Sequence, residues 1–275
     1  MGHRVVASSG AGPSGFVDGH DLSEIMTILG GRAVRMFLPF FETDAADDTP
    51  VQDAGPRGHH FLKHNTSDYD PYIKGHVLAY RLNGLASPNG EAFDMADHDD
   101  FSFGDGAEDS PFSVGIAARF YNTSANALVG RSDETALAEK REYLLFTGGG
   151  VFSTIEFLVF DETTAAFIGR TTPNNIIVND RWYIFIGTYD GGYASEGVRI
   201  YLDGVRVDSL DRINGVYTAM HNTAVATTVG YMTGGGGVRI YFLKGDCWGP
   251  FITGKCLSAG EVLSLTNLYR KVLCL

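Results

Sequence analysis

From residue 32 onward, apolar positions recur in short bursts separated by polar, glycine-rich breaks. AVRMFLPFFE (33–42), HVLAYRLNG (76–84), PFSVGIAARFY (111–121), REYLLFT (141–147), STIEFLVFDE (153–162) and RWYIFIGTYD (181–190) are aromatic and β-branched, and Gly, Asn, Asp or Pro bounds them. AVATTVGYM (224–232) and VRIYFLKGD (238–246) continue the series. Short strands at this spacing, with no helical pattern between them, predict an antiparallel sandwich rather than a parallel βαβ sheet. Between the last of the first set and AVATTVGYM, Val198, Ile200 and Leu202 alternate on one face, and Val205 and Val207 alternate on the next. Asp203-Gly204 lies between them. A two-residue type I′ turn needs φ > 0 at both central residues, which Gly takes freely and Asp tolerates, so this stretch predicts a β-hairpin.

Two segments break the pattern. Asp21-Leu-Ser-Glu24, then Ile25, Met26 and Leu29, and finally Gly30-Gly31, spell a short capped helix. It follows a polar Gly- and Ser-rich start, and residues 1–31 are read as an N-terminal arm carrying that helix, ahead of one domain at 32–275. Near the end, Ser258-Ala-Gly-Glu261 forms a second capping box. Val262, Leu265, Leu268, Tyr269 and Val272 then recur at helical spacing, so a C-terminal helix is expected to close one end of the sandwich.

Composition agrees with the all-β reading, since 35 glycines in 275 residues suit many tight turns. Lys and Arg number 21 against 33 Asp and Glu, a net charge of −12 that repels phosphate backbones, so nucleic acid is not an expected partner. Apolar runs such as the strand-like IEFLVF at 155–160 fall far short of the ~20 residues of a membrane helix. With no apolar signal region near the start, the expectation is synthesis in a cytoplasm and no membrane partner. Cys247, Cys256 and Cys274, odd in number and clustered late, read as buried thiols rather than a disulfide framework. The sequons at Asn65 and Asn122 are read as accidental matches.

Several stretches together resemble the laminin-G-like, concanavalin-A-like lectin/glucanase jelly roll. They are DAGPRGHH (53–60), FDMADHDDFSFGDG (93–106) leading to SPFSVGIAARF, the WYIFIGTYDGG to IYLDGVRV hairpin, MHNTAVATTVGY (220–231), and GKCLSAGEVLSL (254–265) entering the last helix. The set is also similar to versions of the domain in tailed-phage and other viral particle proteins. The resemblance implies an all-β fold, a two-sheet antiparallel β-sandwich of about a dozen strands, with the Asp-Gly hairpin as scaffold.

It also carries departures. Glycosidases of this fold need two carboxylates roughly 5 Å apart on one strand face, from a Glu-x-Asp-x-Glu pattern. No such stretch exists here; Asp133-Glu134 and Asp161-Glu162 are adjacent pairs that would face opposite ways on a strand. Calcium-binding relatives place an Asp where this chain has Trp248. Asp94, Asp97, Asp99, Asp100, Asp105 and Asp109 form a carboxylate-rich stretch without EF-hand or nonapeptide spacing, so no cofactor is assigned and calcium there is the alternative.

Other constellations have plainer readings. Gly10-Ala-Gly12-Pro-Ser-Gly15 lacks the strand and helix that a dinucleotide site needs. His59, His60 and His64 lie in a Gly/Pro loop without a Cys partner and read as exposed loop histidines rather than metal ligands. No G-x-S-x-G elbow is present. Trp182 reads as core. Trp248, near Gly249-Pro250, is the candidate ligand platform at the sandwich rim. The expected function is a non-catalytic virion structural protein, a capsid decoration or tail component. It would display the jelly roll, meet other particle proteins through the arm, assemble as a homo-oligomer and bind a cell-surface glycan. A carbohydrate-binding module of a cellular protein is the alternative, and a glycoside hydrolase or lyase the third reading.

Overall fold

The computed structural model describes residues 18–40, 50–64, 70–85, 89–122, 124–134, 140–148 and 153–275. Within them the chain forms two sheets. One is eight-stranded, in the spatial order β14 (Val205–Arg206), β13 (Val198–Leu202), β12 (Trp182–Tyr189), β7 (Phe112–Phe120), β19 (Lys244–Thr253), β5 (Val77–Asn83) and β4 (Asp70–Lys74), with β1 (Val34–Phe37) also paired to β19. The other, eleven-stranded, runs β15 (Leu210–Asn214), β11 (Ala166–Thr171), β10 (Ile155–Asp161), β9 (Lys140–Thr147), β8 (Asn126–Asp133), β16 (Thr227–Val229), β6 (Ala92–Met95), β3 (Phe61–His64) and β2 (Pro50–Val51). A small ribbon of β17 (Met232–Gly234) and β18 (Val238–Ile240) attaches to β8. Pairing is antiparallel apart from that attachment, Thr233 to Asp133.

Alternation decides which side chains meet between the sheets. Phe112 on β7 meets Phe157 on β10 edge-on, with ring centroids 5.8 Å apart, and Tyr143 on β9 at 4.8 Å. Opposite Phe157, β12 carries Gly187, where a Cβ would stand 2.7 Å from the ring; a larger residue there would push the sheets apart. The Asp203-Gly204 turn has φ of 53° and 85° and joins Leu202 to Val205, as the hairpin pattern requires.

The C-terminal helix α2 (Ala259–Leu273) starts at Ser258, whose hydroxyl and Glu261 form the reciprocal capping box; Val262, Leu265, Leu268, Tyr269 and Val272 are buried. The N-terminal helix α1 (Gly19–Ile28) starts earlier than its sequence suggests. Asp18 is the N-cap, its carboxylate accepting from the Asp21 N–H at 2.7 Å, and Asp21 is instead bound by the Lys271 ammonium at 2.5 Å. The helix within 1–31 is also packed rather than free. Ile25 and Leu29 are fully buried, and the Leu29 carbonyl accepts from the Thr253 hydroxyl at 2.6 Å. Residues 1–17 of the expected arm lie outside the described residues. Among the described residues no helix is long and apolar enough to cross a membrane.

Candidate functional site

The structure moves Trp248 from the rim to the core. Its side chain is fully buried between Phe37 (6.0 Å) and Tyr269 (4.7 Å), and its indole N–H donates to the Pro39 carbonyl at 3.0 Å. The neighbouring Gly249-Pro250 is a bulge inside β19, not a loop, so the tryptophan continues a strand face covered by α2. It is not available to a ligand. Trp182 is buried as expected.

The acidic stretch is dispersed among separate partners. Asp94 meets His64 and Tyr231, Asp97 meets Arg131, and Asp99 accepts from Asn222. Asp105 accepts from two backbone N–H groups of its own turn, while Asp109 accepts from Tyr189, Tyr217 and the Met220 N–H. The paired acids separate likewise: Asp161 accepts from Thr163 and the Thr218 N–H, and Glu162 is held by Arg141 at 2.6 Å. The histidines split too, with His60 accepting from the Asp53 N–H, His64 on Asp94 and His59 on Asp100. Of the cysteines Cys247 is buried, Cys256 is partly buried, and Cys274 is exposed as the left-handed cap of α2.

An open cleft of ≈ 460 Å³ lies at the end of the sandwich where β7 and β5 finish. Tyr241, Leu85 and Val238 give it a partly apolar lining and are 45%, 47% and 48% exposed. Asn122, Ser124 and Arg239 add polar groups. Tyr241 ends the β17–β18 ribbon at φ 53°, a left-handed conformation that a bulky side chain adopts only at a cost. The alternation of VRIYFLKGD predicts a strand running through this residue; the backbone instead turns there, which swings the phenol out to the cleft. That turn hid Tyr241 from the sequence pattern.

A polar strip borders the cleft on the outer face of the eight-stranded sheet. Its centre is Asp246, fully buried. Arg119 Nε donates to it at 2.7 Å, the Tyr121 and Tyr72 hydroxyls at 2.7 and 2.8 Å, and Arg81 Nε approaches at 3.4 Å. Burial, and then the hydrogen bond to Asp246, push both tyrosine hydroxyls above their usual range, so they stay protonated donors. One carboxylate thus serves two guanidiniums, and the Arg81 side chain remains 44% exposed. The chain passes from strip to cleft twice, from Tyr121 to Asn122 and from Arg81 to Gly84. These residues are far apart in sequence, and only strand register brings them together.

No protein-family model and no curated protein matches this chain. Solved structures do. The binding domain of botulinum neurotoxin DC in complex with SialylT superposes with a TM-score of 0.57 at 11% identity, over 87% of this chain and 52% of that one. The same domain with rat synaptotagmin II gives 0.57 at 10%, over 86% and 51%. The serotype D ligand-binding domain with N-acetylneuraminic acid gives 0.55 at 10%, over 89% and 52%. The shared feature is the fold. It is a two-sheet β-sandwich, and the chain spans about half the length of these neighbours.

Proposed function

We propose that this chain is a non-catalytic glycan-binding module that holds an acidic sugar in the cleft around Tyr241. The carrying observation is the pairing of an exposed aromatic ring, fixed at a strained backbone position, with amide, hydroxyl and guanidinium groups in one open cleft. A sugar ring offers an apolar C–H face and a rim of hydroxyls, and such a lining complements both. Acidity follows from charge. On a molecule of net charge −12, Arg239 lines the cleft, bound to Asp94, while Arg81 and Arg119, bound to Asp246, and Lys244 lie on the strands β5, β7 and β19. The neurotoxin domains were solved with a sialylated ligand, a sialic acid and a protein receptor. Those ligands belong to those proteins; the cleft and its charge support the reading here.

A glycan array probed with the full chain tests this. Sialylated or uronate-bearing glycans are expected to bind, their neutral counterparts to bind less, and Tyr241→Ala to weaken binding about tenfold or more. An array without hits, or Tyr241→Ala binding unchanged, would overturn the assignment. Within this reading the module belongs to a virus particle as a homo-oligomer, its N-terminal residues meeting other particle proteins. The jelly-roll resemblance in the sequence supports that setting, and mass spectrometry of purified virions checks it.

A further inference from the structure

We propose that His59, His98 and Asp100 bind a divalent transition metal of the zinc class, at the end of the sandwich opposite the cleft. Strand β7 separates the two places, since the 96–111 loop enters it at Phe112 and Asn122 follows its far end. This site goes beyond the glycan reading and does not depend on it.

Three donors converge from two loops. Asp100 Oδ2 lies 2.8 Å from His59 Nε2 and 3.9 Å from His98 Nδ1, and the imidazole centroids are 4.4 Å apart. One ligand atom from each residue lies within 4.8 Å of the other two. Zinc bonds of about 2.0–2.2 Å in tetrahedral geometry place donors roughly 3.3–3.5 Å apart, so small side-chain rotations close the set. Two imidazoles and one carboxylate suit zinc, copper or nickel rather than calcium, and they leave a fourth position for water.

The surroundings hold the donors in place. The His59 backbone N–H donates to Asp53 Oδ2 at 2.9 Å, and its ring packs 5.0 Å from Phe101, which is fully buried. The Phe101 carbonyl accepts from the Tyr143 hydroxyl at 3.1 Å. Arg57 takes the other carboxylate oxygen, Oδ1, and so turns Oδ2 toward the histidines. His98 caps the short turn Asp99–Phe101 by accepting the Asp100 N–H at 3.1 Å, a contact the metal would replace. Its side chain is 47% exposed, which gives an ion a way in. A bound ion ties together two loops about 40 residues apart, the separation of His59 and Asp100 being 41.

Calorimetric titration of the metal-free full chain with ZnCl₂ tests the site. One ion per chain is expected, with affinity reduced in His98→Ala by more than the ~10–100-fold that loss of an outer-shell partner costs. At a hundredfold excess over Kd, zinc is expected to raise the wild-type Tm on the order of 5 °C and to leave His98→Ala unmoved. His98 is half exposed, so the variant folds; its metal-free urea midpoint verifies this. His20→Ala, changing an 82% exposed histidine at the start of α1, is expected to bind as wild type. No zinc binding, or binding equally strong in His98→Ala, overturns the proposal.

Discussion

Trp248 occupies the middle of β19 with aromatic rings on two sides and its one polar atom satisfied, and that environment fixes what its removal would do. Trp248→Ala leaves a cavity that Phe37 and Tyr269 cannot fill and strips the Pro39 carbonyl of its donor. The expected cost is about 3–5 kcal/mol of stability, read from urea denaturation. Tyr241 is its counterpart on the surface: exposed, strained and expected to change binding rather than folding. The two aromatic residues stand seven positions apart in one stretch of chain, and the sequence offers little to tell them apart. Gly249-Pro250 beside Trp248 reads as a loop, whereas Gly249 at φ 59° is a bulge within a continuous strand. Alternation through Tyr241 reads as strand where the backbone turns.

Among the elements, α2 couples local capping to solution conditions. The Lys255 ammonium, and then the Ser258 N–H, draw the Glu261 carboxyl from its ordinary 4.5 down to about 2. A carboxyl lowered on folding stabilises fully above about pH 4.5, and the contribution fades as pH falls toward 2. Because the Glu261 side chain is 35% exposed, solvent screening holds the effect to no more than about 1 kcal/mol. Glu261→Gln is therefore expected to be less stable than wild type at pH 6 and to converge with it near pH 2, as urea midpoints at both values would show. The helix was legible because capping and 3.6-residue periodicity are local signals. So were β5, β7, β9, β10 and β12, whose alternating or continuous apolar runs match strands within one or two residues. β15 (Leu210–Asn214) was not, because every residue of this edge strand is exposed and no face carries a hydrophobic pattern. The start of α1 was misplaced because Asp18 and Asp21 are both competent caps in sequence, and only the fold gives Asp21 to Lys271.

For the molecule as a whole, the N-terminal helix is part of the load of the sandwich rather than an attachment to it. Ile25→Ala combined with Leu29→Ala is expected to cost roughly 4 kcal/mol or more, measured as a drop in denaturation midpoint; a freely moving arm would show none. The two ends of the sandwich differ in chemistry. One gathers arginines, tyrosines and a cleft, and the other gathers histidines and acids, so agents acting at either can be studied separately. Neither grouping could be read from spacing, since Arg81, Arg119 and Asp246, like His59 and Asp100, meet only after the sheets form.

β19 pairs with β7 along both of its halves, but on its other side it leaves β5 after Cys247 and takes up β1 at Phe251, with the bulge at Gly249-Pro250 in between. Sliding this ribbon by two positions would put the left-handed backbone on Phe251 and unseat both flanking neighbours at once. The kink therefore acts as an indexing pin, holding the whole layer to a single alignment.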